Sequence, residues 1–231
     1  MNSEIKNILD KISGEGRTIL TYEESRQVMN LAGFPLNKMK IAANLDECVL
    51  KASEINYPIV LKIVSEAVVH KSDSGGVKVG ISSEEELKKA FEEMLVSVKK
   101  HYPNADIQSF SIEEMVEGVE LLIGTNTDDQ FGKMVAFGIG GIFVEVYKDV
   151  SFKLIPITEQ DVLDMIEEIQ GKKILKGYRG MPKIDVAELI SLLLKVSNLI
   201  EEFPQIHEMD LNPIVATSVG LKAIDARIIL K

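Results

Sequence analysis

The feature that most limits how this chain can fold is a run of five strand-like segments within residues 107 to 157: "IQSFSIEEMV", "VELLIGTNT", "GKMVAFGIG", "IFVEVY" and "SFKLIPI". They are joined by turns as short as "TDDQFG". Parallel neighbours would need crossovers of a dozen or so residues. The run therefore predicts an antiparallel sheet. Upstream the texture differs. "TYEESRQVMNLAGFP" opens with Thr21 and Glu24 spaced as a capping box and closes on Gly-Phe-Pro, which predicts a helix. A short helix is expected over Leu45 to Ile55, "YPIVLKIV" has the β-branched, nearly continuous apolar character of a buried strand, and "GGVKVGI" alternates as a half-exposed one. In "SSEEELKKAFEEMLVSVKK", Ser83 and Glu86 suggest a second capping box, and Leu87, Phe91, Met94 and Val98 form one apolar stripe.

Beyond the strand run, helices are expected around 159 to 169 and 185 to 202, the second opened by Asp185 and Glu188. The strands "QIHEMDL", "PIVAT" and "GLKAIDARI" follow. The change of texture near residue 105 predicts an α+β (α/β) fold of two lobes. The expected divisions are an N-terminal helical extension over 1–20, a smaller α/β lobe over 21–105 and a larger antiparallel-sheet lobe over 106–231. A crevice between lobes is the default place for a ligand.

Composition removes several function classes. With 231 residues, 45% of them hydrophobic, the chain can bury a sizeable core. Its longest apolar run, "MVAFGIGGIFV", is too short and too rich in glycine to span a bilayer, so no membrane association is expected. Cys48 is the only cysteine, which rules out an internal disulfide or a cysteine-based zinc cluster and makes a reducing cytoplasm the default. A net charge of −10 repels nucleic-acid backbones, and no basic stripe offsets it. An acidic chain can still hold a phosphate compound if lysine, backbone N–H groups or a metal ion act locally.

Three constellations could carry such chemistry. In "EMDLNPIVATSVGLKAIDAR", Asp210 lies two residues before Asn212, and Asp225 follows Asn212 by thirteen. If the chain turns back at "ATSVGLK", Asn212 and Asp225 reach one point with hard oxygen donors, suited to Mg²⁺ bridging phosphates; a turn-forming Asn-Pro with a surface aspartate is the plainer alternative. Lys62, in the middle of an apolar strand, either snorkels to solvent or contacts phosphate. Ser72, Ser74, Gly75 and Gly76 form a loop of small residues whose N–H groups could join it in a phosphate cradle. "SIEEMVEGVELLIG" sets Glu113, Glu114 and Glu120 around a tight connection, which is either a solvated hairpin or a hinge whose backbone pairs with an adenine edge.

His70, where an apolar strand gives way to the glycine-paired loop, could be a satisfied core residue, a metal ligand, a proton carrier or a nucleophile. His101 reads as a solvated residue at a helix C-terminus and His207 as structural. "GIGG" at 138 to 141 lacks the spacing of a dinucleotide fingerprint, and no P-loop motif is present.

Together "YPIVLKIVS", "VVHKSDSGGVKVGI", "FSIEEMVEGVELLIGTNTDDQFGKMVAFGIGGIFVEVYKDVSFKLIPI", "LKGYRGMPKIDV" and "HEMDLNPIV…LKAIDAR" resemble the ATP-grasp β subunit of ADP-forming acetyl-CoA synthetases (acetate–CoA ligases), a family similar to succinyl-CoA synthetase. The resemblance spans about residues 20 to 230. It implies an ATP-grasp fold and reversible conversion of acyl-CoA, ADP and phosphate to acid, CoA and ATP through phosphohistidine. It further implies that CoA binding belongs to a separate α subunit or a fused α region and, since nothing in this chain resembles the CoA-binding part, that this is the nucleotide half of an α/β assembly whose usual state in the family is α₂β₂. By position it makes Asn212 and Asp225 Mg²⁺ ligands with Asp210 nearby, and Lys62 the phosphate-contacting lysine. It makes Glu113, Glu114, Met115 and Val116 the adenine hinge and Glu120 the ribose acid. His70 becomes the residue that takes the phosphoryl group from the α-subunit phosphohistidine and presents it to ADP. Two alternatives stay open: an ATP-grasp ligase that activates a carboxylate directly, and a nucleotide-sensing module without turnover. The acyl substrate and the choice of ADP over GDP are not implied.

Overall fold

The computed structural model describes residues 2–65, 67, 68 and 73–231, without the side chains of Ile142 and Glu145. In chain order the elements are α1 (Asn2–Gly14), α2 (Tyr22–Leu31), β1 (Met39–Ala42), α3 (Leu45–Ile55), β2 (Ile59–Val64), β3 (Val77–Ile81), α4 (Glu84–His101) and β4 (Ser109–Glu114). They continue with β5 (Val119–Asp128), β6 (Gly132–Ile139), α5 (Ile142–Glu145), β7 (Val150–Leu154), α6 (Glu159–Glu168), α7 (Lys172–Leu175), α8 (Val186–Glu202), β8 (Ile206–Thr217), β9 (Gly220–Ala223) and β10 (Arg227–Leu230). None of the described helices is long and apolar enough to cross a membrane.

Contacts divide the chain into a smaller unit, Asn37–Met115, and a larger unit assembled from Met1–Leu36 and Val116–Lys231. This corrects the expected boundaries at 20 and 105. The N-terminal helix is no extension: Ile5, Leu9 and Ile12 are buried in the larger core. The segment after it is stitched to the last strand, with Leu20 N–H donating to Ile228 O at 3.1 Å and Leu230 N–H to Thr18 O at 2.7 Å. The later boundary moves because β4 is central in the smaller sheet, where it pairs with both β1 and β2.

The smaller unit has a four-stranded sheet in the order β1-β4-β2-β3. Its pairings are antiparallel. β2 alternates Ile59, Leu61 and Ile63 into a core completed by the Leu87, Phe91, Met94 and Val98 stripe of α4. Ser83 caps α4 by accepting from Glu86 N–H at 3.2 Å, while the Glu86 carboxylate reaches back to Ser82 N–H at 2.7 Å.

The larger unit carries a six-stranded antiparallel sheet, β10-β8-β5-β6-β7 with β9 also on β8. Helix α8 contributes Leu189, Leu193, Val196 and Ile200 to its core. Both partners of the Thr21 and Glu24 capping box are formed at α2. Asp185 caps α8 as expected, but Glu188 accepts from Leu221 N–H at 3.0 Å instead of closing a box. Two further expectations fail. "IFVEVY" begins as the helical turn α5 rather than a strand, with Asp149 N–H donating to Phe143 O at 3.1 Å to close the excursion before β7. "QIHEMDL" and "PIVAT" form one strand, because β8 absorbs Pro213 in an irregularity of its pairing with β5.

Candidate nucleotide and metal site

In the smaller unit, the register of β2 on β4 sets Lys62 opposite Ser111, and Glu113 follows two residues on, on the same face of β4. Lys62 Nζ lies 2.9 Å from Glu113 Oε2, with 16% of the lysine side chain and 1% of the glutamate side chain exposed. Ser111 Oγ donates to Glu113 Oε1 at 2.9 Å, and Asn37 Nδ2 donates to Oε2 at 3.3 Å. Burying an ammonium in an apolar sheet is costly unless it is paired, and here the pairing is present. Glu113 is therefore not part of a solvated hairpin. Sequence alone does not single out Asn37 and Ser111; each reads as an ordinary polar residue until strand register brings it to Glu113.

The rest of the expected hinge is half-buried. Glu114 N–H donates to Lys38 O at 2.9 Å, and Met115 N–H lies 3.4 Å from Pro58 O. The N–H groups of both residues are thus turned to the smaller sheet, and Val116 comes next in the chain.

His70 and Ser72 lie outside the described residues. The C-terminal side of their loop is described, and it is pinned at both ends of the Ser74 to Gly76 stretch. Ser97 Oγ donates to Ser74 O at 2.9 Å, and Ile63 N–H donates to Gly76 O at 2.9 Å. Gly75 has φ +73°, and a Cβ there would stand 2.6 Å from Ser97 Oγ, so the turn requires glycine on both counts.

In the larger unit, β8 turns Met209 and Leu211 into the core, which leaves Asp210 on the opposite face. Opposite β5, Leu211 pairs with Ile123 and Ile214 with Leu121, so one extra residue is accommodated at Asn212-Pro213. On the other side of β8, Asp210 pairs with Arg227 and Ile214 with Ala223. Carrying that shared register inward places Asn212 opposite Asp225. Both are exposed, as donors for an outside ligand must be.

Burial pushes the Asp210 carboxyl up to about 6, the charges of Asp225 and Glu208 add to the rise, and Arg227 opposes it. Among the described residues no three His, Cys, Asp or Glu side chains converge to hold an ion by themselves. Two carboxylates and an amide oxygen suit Mg²⁺, which completes its shell with water and phosphate oxygens, better than they suit zinc.

Glu120, at the start of β5, is exposed, and its carbonyl accepts from Gly140 N–H at 2.7 Å. A Cβ on Gly140 would lie 3.0 Å from Glu120 Cβ. This gives the "GIGG" stretch a physical reason that spacing alone does not supply: backbone packs directly beside Glu120. His101 is the exposed last residue of α4, as expected.

These features fit an ATP-grasp protein, and the family model described as an ATP-grasp domain matches residues 11–230. Within that class, the chain belongs to the family of β subunits of ADP-forming acetate–CoA ligases. It is 43% identical over 235 residues to subunit beta of acetate–CoA ligase [ADP-forming] II of Pyrococcus furiosus, a match covering 100% of each chain. Acetyl-coenzyme A synthetase 1 of Ca. Korarchaeum cryptofilum, solved with coenzyme A, Ca-AMPCP and HgCl⁺, matches with a TM-score of 0.92 and 44% identity over 98% of this chain and 99% of that one. A second structure of that enzyme, with coenzyme A and Mg-AMPPCP and its phosphohistidine segment pointing towards the nucleotide binding site, matches with a TM-score of 0.83 and 41% identity over 98% and 100%.

Proposed function

We propose that this chain is the nucleotide subunit of a cytoplasmic ADP-forming acid–CoA ligase and works with a CoA-binding α subunit in an α₂β₂ assembly. The observation that carries this reading is the Asp210, Asn212 and Asp225 cluster at the irregularity of β8, an all-oxygen donor set in a chain whose full length matches nucleotide-dependent ligase subunits. When bound there, Mg²⁺ supplies positive charge to phosphate oxygens.

Each unit contributes its own groups. Lys62 and the backbone N–H groups of Ser74 to Gly76 bind phosphate oxygens. The hinge over Glu113, Glu114, Met115 and Val116 presents backbone to the adenine edge, with Val116 favoured because the two N–H groups before it are engaged. Glu120 accepts from ribose hydroxyls. His70 attacks the phosphorus held on the α-subunit histidine as that P–N bond breaks, and an ADP β-phosphate oxygen then takes the phosphoryl group as the new P–N bond to His70 breaks. Positioning and charge stabilisation supply most of the catalysis in such transfers. In the Korarchaeum relative bound to Mg-AMPPCP, the phosphohistidine segment points towards the nucleotide binding site, which supports this order of steps.

Incubation with γ-labelled ATP and Mg²⁺, with and without an α subunit, tests it. Acid-labile, base-stable label should appear on the wild-type chain and be absent from His70→Asn. Label that survives the substitution, or nucleotide binding without label beside an active α subunit, would return the direct ligase or the sensing module.

A further inference from the structure

The buried group around Glu113 has more order than a hinge needs. Among the described residues, its carboxylate receives donors from separate parts of the smaller unit: Lys62 from β2, Ser111 from β4, and Asn37 from the segment before β1. Oε1 takes the serine hydroxyl, while Oε2 takes the ammonium and the amide. A carboxylate can only accept, so these donors fix its plane, and the fixed plane in turn fixes where the lysine nitrogen sits. Without it, a four-carbon lysine stem has many rotamers, and holding one of them costs entropy at the moment an anion binds. The lysine keeps 16% of its side chain open, enough for an anion to approach, whereas Glu113, at 1%, has almost no surface left to offer a ligand.

We infer that Glu113, held by Ser111 and Asn37, is a positioning residue for Lys62 and that its side chain acts on the nucleotide only through that lysine. The inference rests on the proposed phosphate role of Lys62 and deepens it. It also divides the work of Glu113: backbone in the hinge, carboxylate behind the lysine. A group that preorganises a phosphate-binding cation raises affinity without touching the ligand.

The test is a double-mutant cycle read by calorimetric titration of the full chain with Mg·ADP. Glu113→Gln should weaken binding roughly tenfold, the loss expected for one charge-assisted contact. Lys62→Gln, which keeps a donor for Glu113, should weaken it at least as much. In the Lys62→Gln background Glu113→Gln should cost nothing further, because the residue through which it acts is already gone. Ser111→Ala is the milder variant should Glu113→Gln not fold, and its smaller loss should vanish in the same background. Equal losses in both backgrounds would make Glu113 a direct ligand and overturn the inference. So would unchanged affinity in Glu113→Gln when Lys62→Gln binds weakly. Unchanged affinity in Lys62→Gln would remove the phosphate role of the lysine and this inference with it. A wild-type chain that takes up no Mg·ADP would instead fail the nucleotide assignment itself.

Discussion

The smaller unit buries opposite charges together, whereas the larger unit crowds like charges at one irregularity of its sheet. Lys62 and Glu113 neutralise each other behind an almost closed surface. Asp210 has Asp225 and Glu208 as its electrostatic neighbours, with Arg227 as the opposing charge, and its carboxyl is pushed up to about 6. The first arrangement is complete as folded. The second gains by accepting a cation. Two ways of handling charge in one chain separate a cation already held by its counter-charge from carboxylates that await one.

That contrast breaks most visibly at Lys62. Replacing it with methionine leaves a buried carboxylate without its counter-charge, and urea denaturation should show a loss of about 3–5 kcal/mol. A loss below about 1 kcal/mol would mean the pair behaves as an exposed one. Asp225→Asn should do the reverse. Outer-shell changes at metal sites cost roughly 10–100-fold in metal affinity, so loss of a ligand should cost no less in a Mg²⁺ titration. Metal-free stability should hold or rise, since one like charge is gone; a clear fall would show that Asp225 is structural.

Asp210 gives a pH signature of the same crowding. Its pKa is raised from 3.8 to about 6, so the folded state holds the proton more tightly than the unfolded one. The stability this contributes is fully present below 3.8 and is lost as pH rises through about 6. In EDTA, Asp210→Asn should therefore gain on wild type as pH rises from about 4 to about 6, reaching on the order of 1–2 kcal/mol after screening. A flat difference would mean that Asp210 titrates as a surface carboxylate.

The smallest expected effect is at Glu24, which serves as a partly exposed control. The Arg17 guanidinium, followed by Thr21 N–H, holds its carboxyl down from 4.5 to about 2 against the effect of burial. This stability is present above 4.5 and is lost as pH falls towards about 2. Glu24→Gln should cost less than about 1 kcal/mol at neutral pH and show less loss on acidification.

Local signals are legible in the sequence and register is not. Thr21, Ser83 and Asp185 mark helix starts because capping chemistry is decided within a few residues. The turn back near "ATSVGLK" is legible for a similar reason, and with it the apposition of Asn212 and Asp225. The placement of "FSIEE" between β1 and β2 depends on partners roughly fifty to seventy residues upstream, which no local pattern encodes. For that reason the pairing of Lys62 with Glu113 is invisible in the sequence, although each residue stands out there by itself. Apolar "IFVEVY" has strand composition, yet its first four residues form a helical turn because the backbone bends at Gly140 and Gly141 before β7 can pair.

The antiparallel bridge between Ile19 and Ile229 also has a consequence for synthesis. Ile19 docks against Ile229 in β10, so the larger unit cannot close until β10 has left the ribosome. The described strands of residues 37–115 pair with one another and can settle well before that. Helix α1, with Ile5, Leu9 and Ile12 uncovered, must therefore be kept from aggregation until the later strands of the larger core are made, which gives holding chaperones a target there.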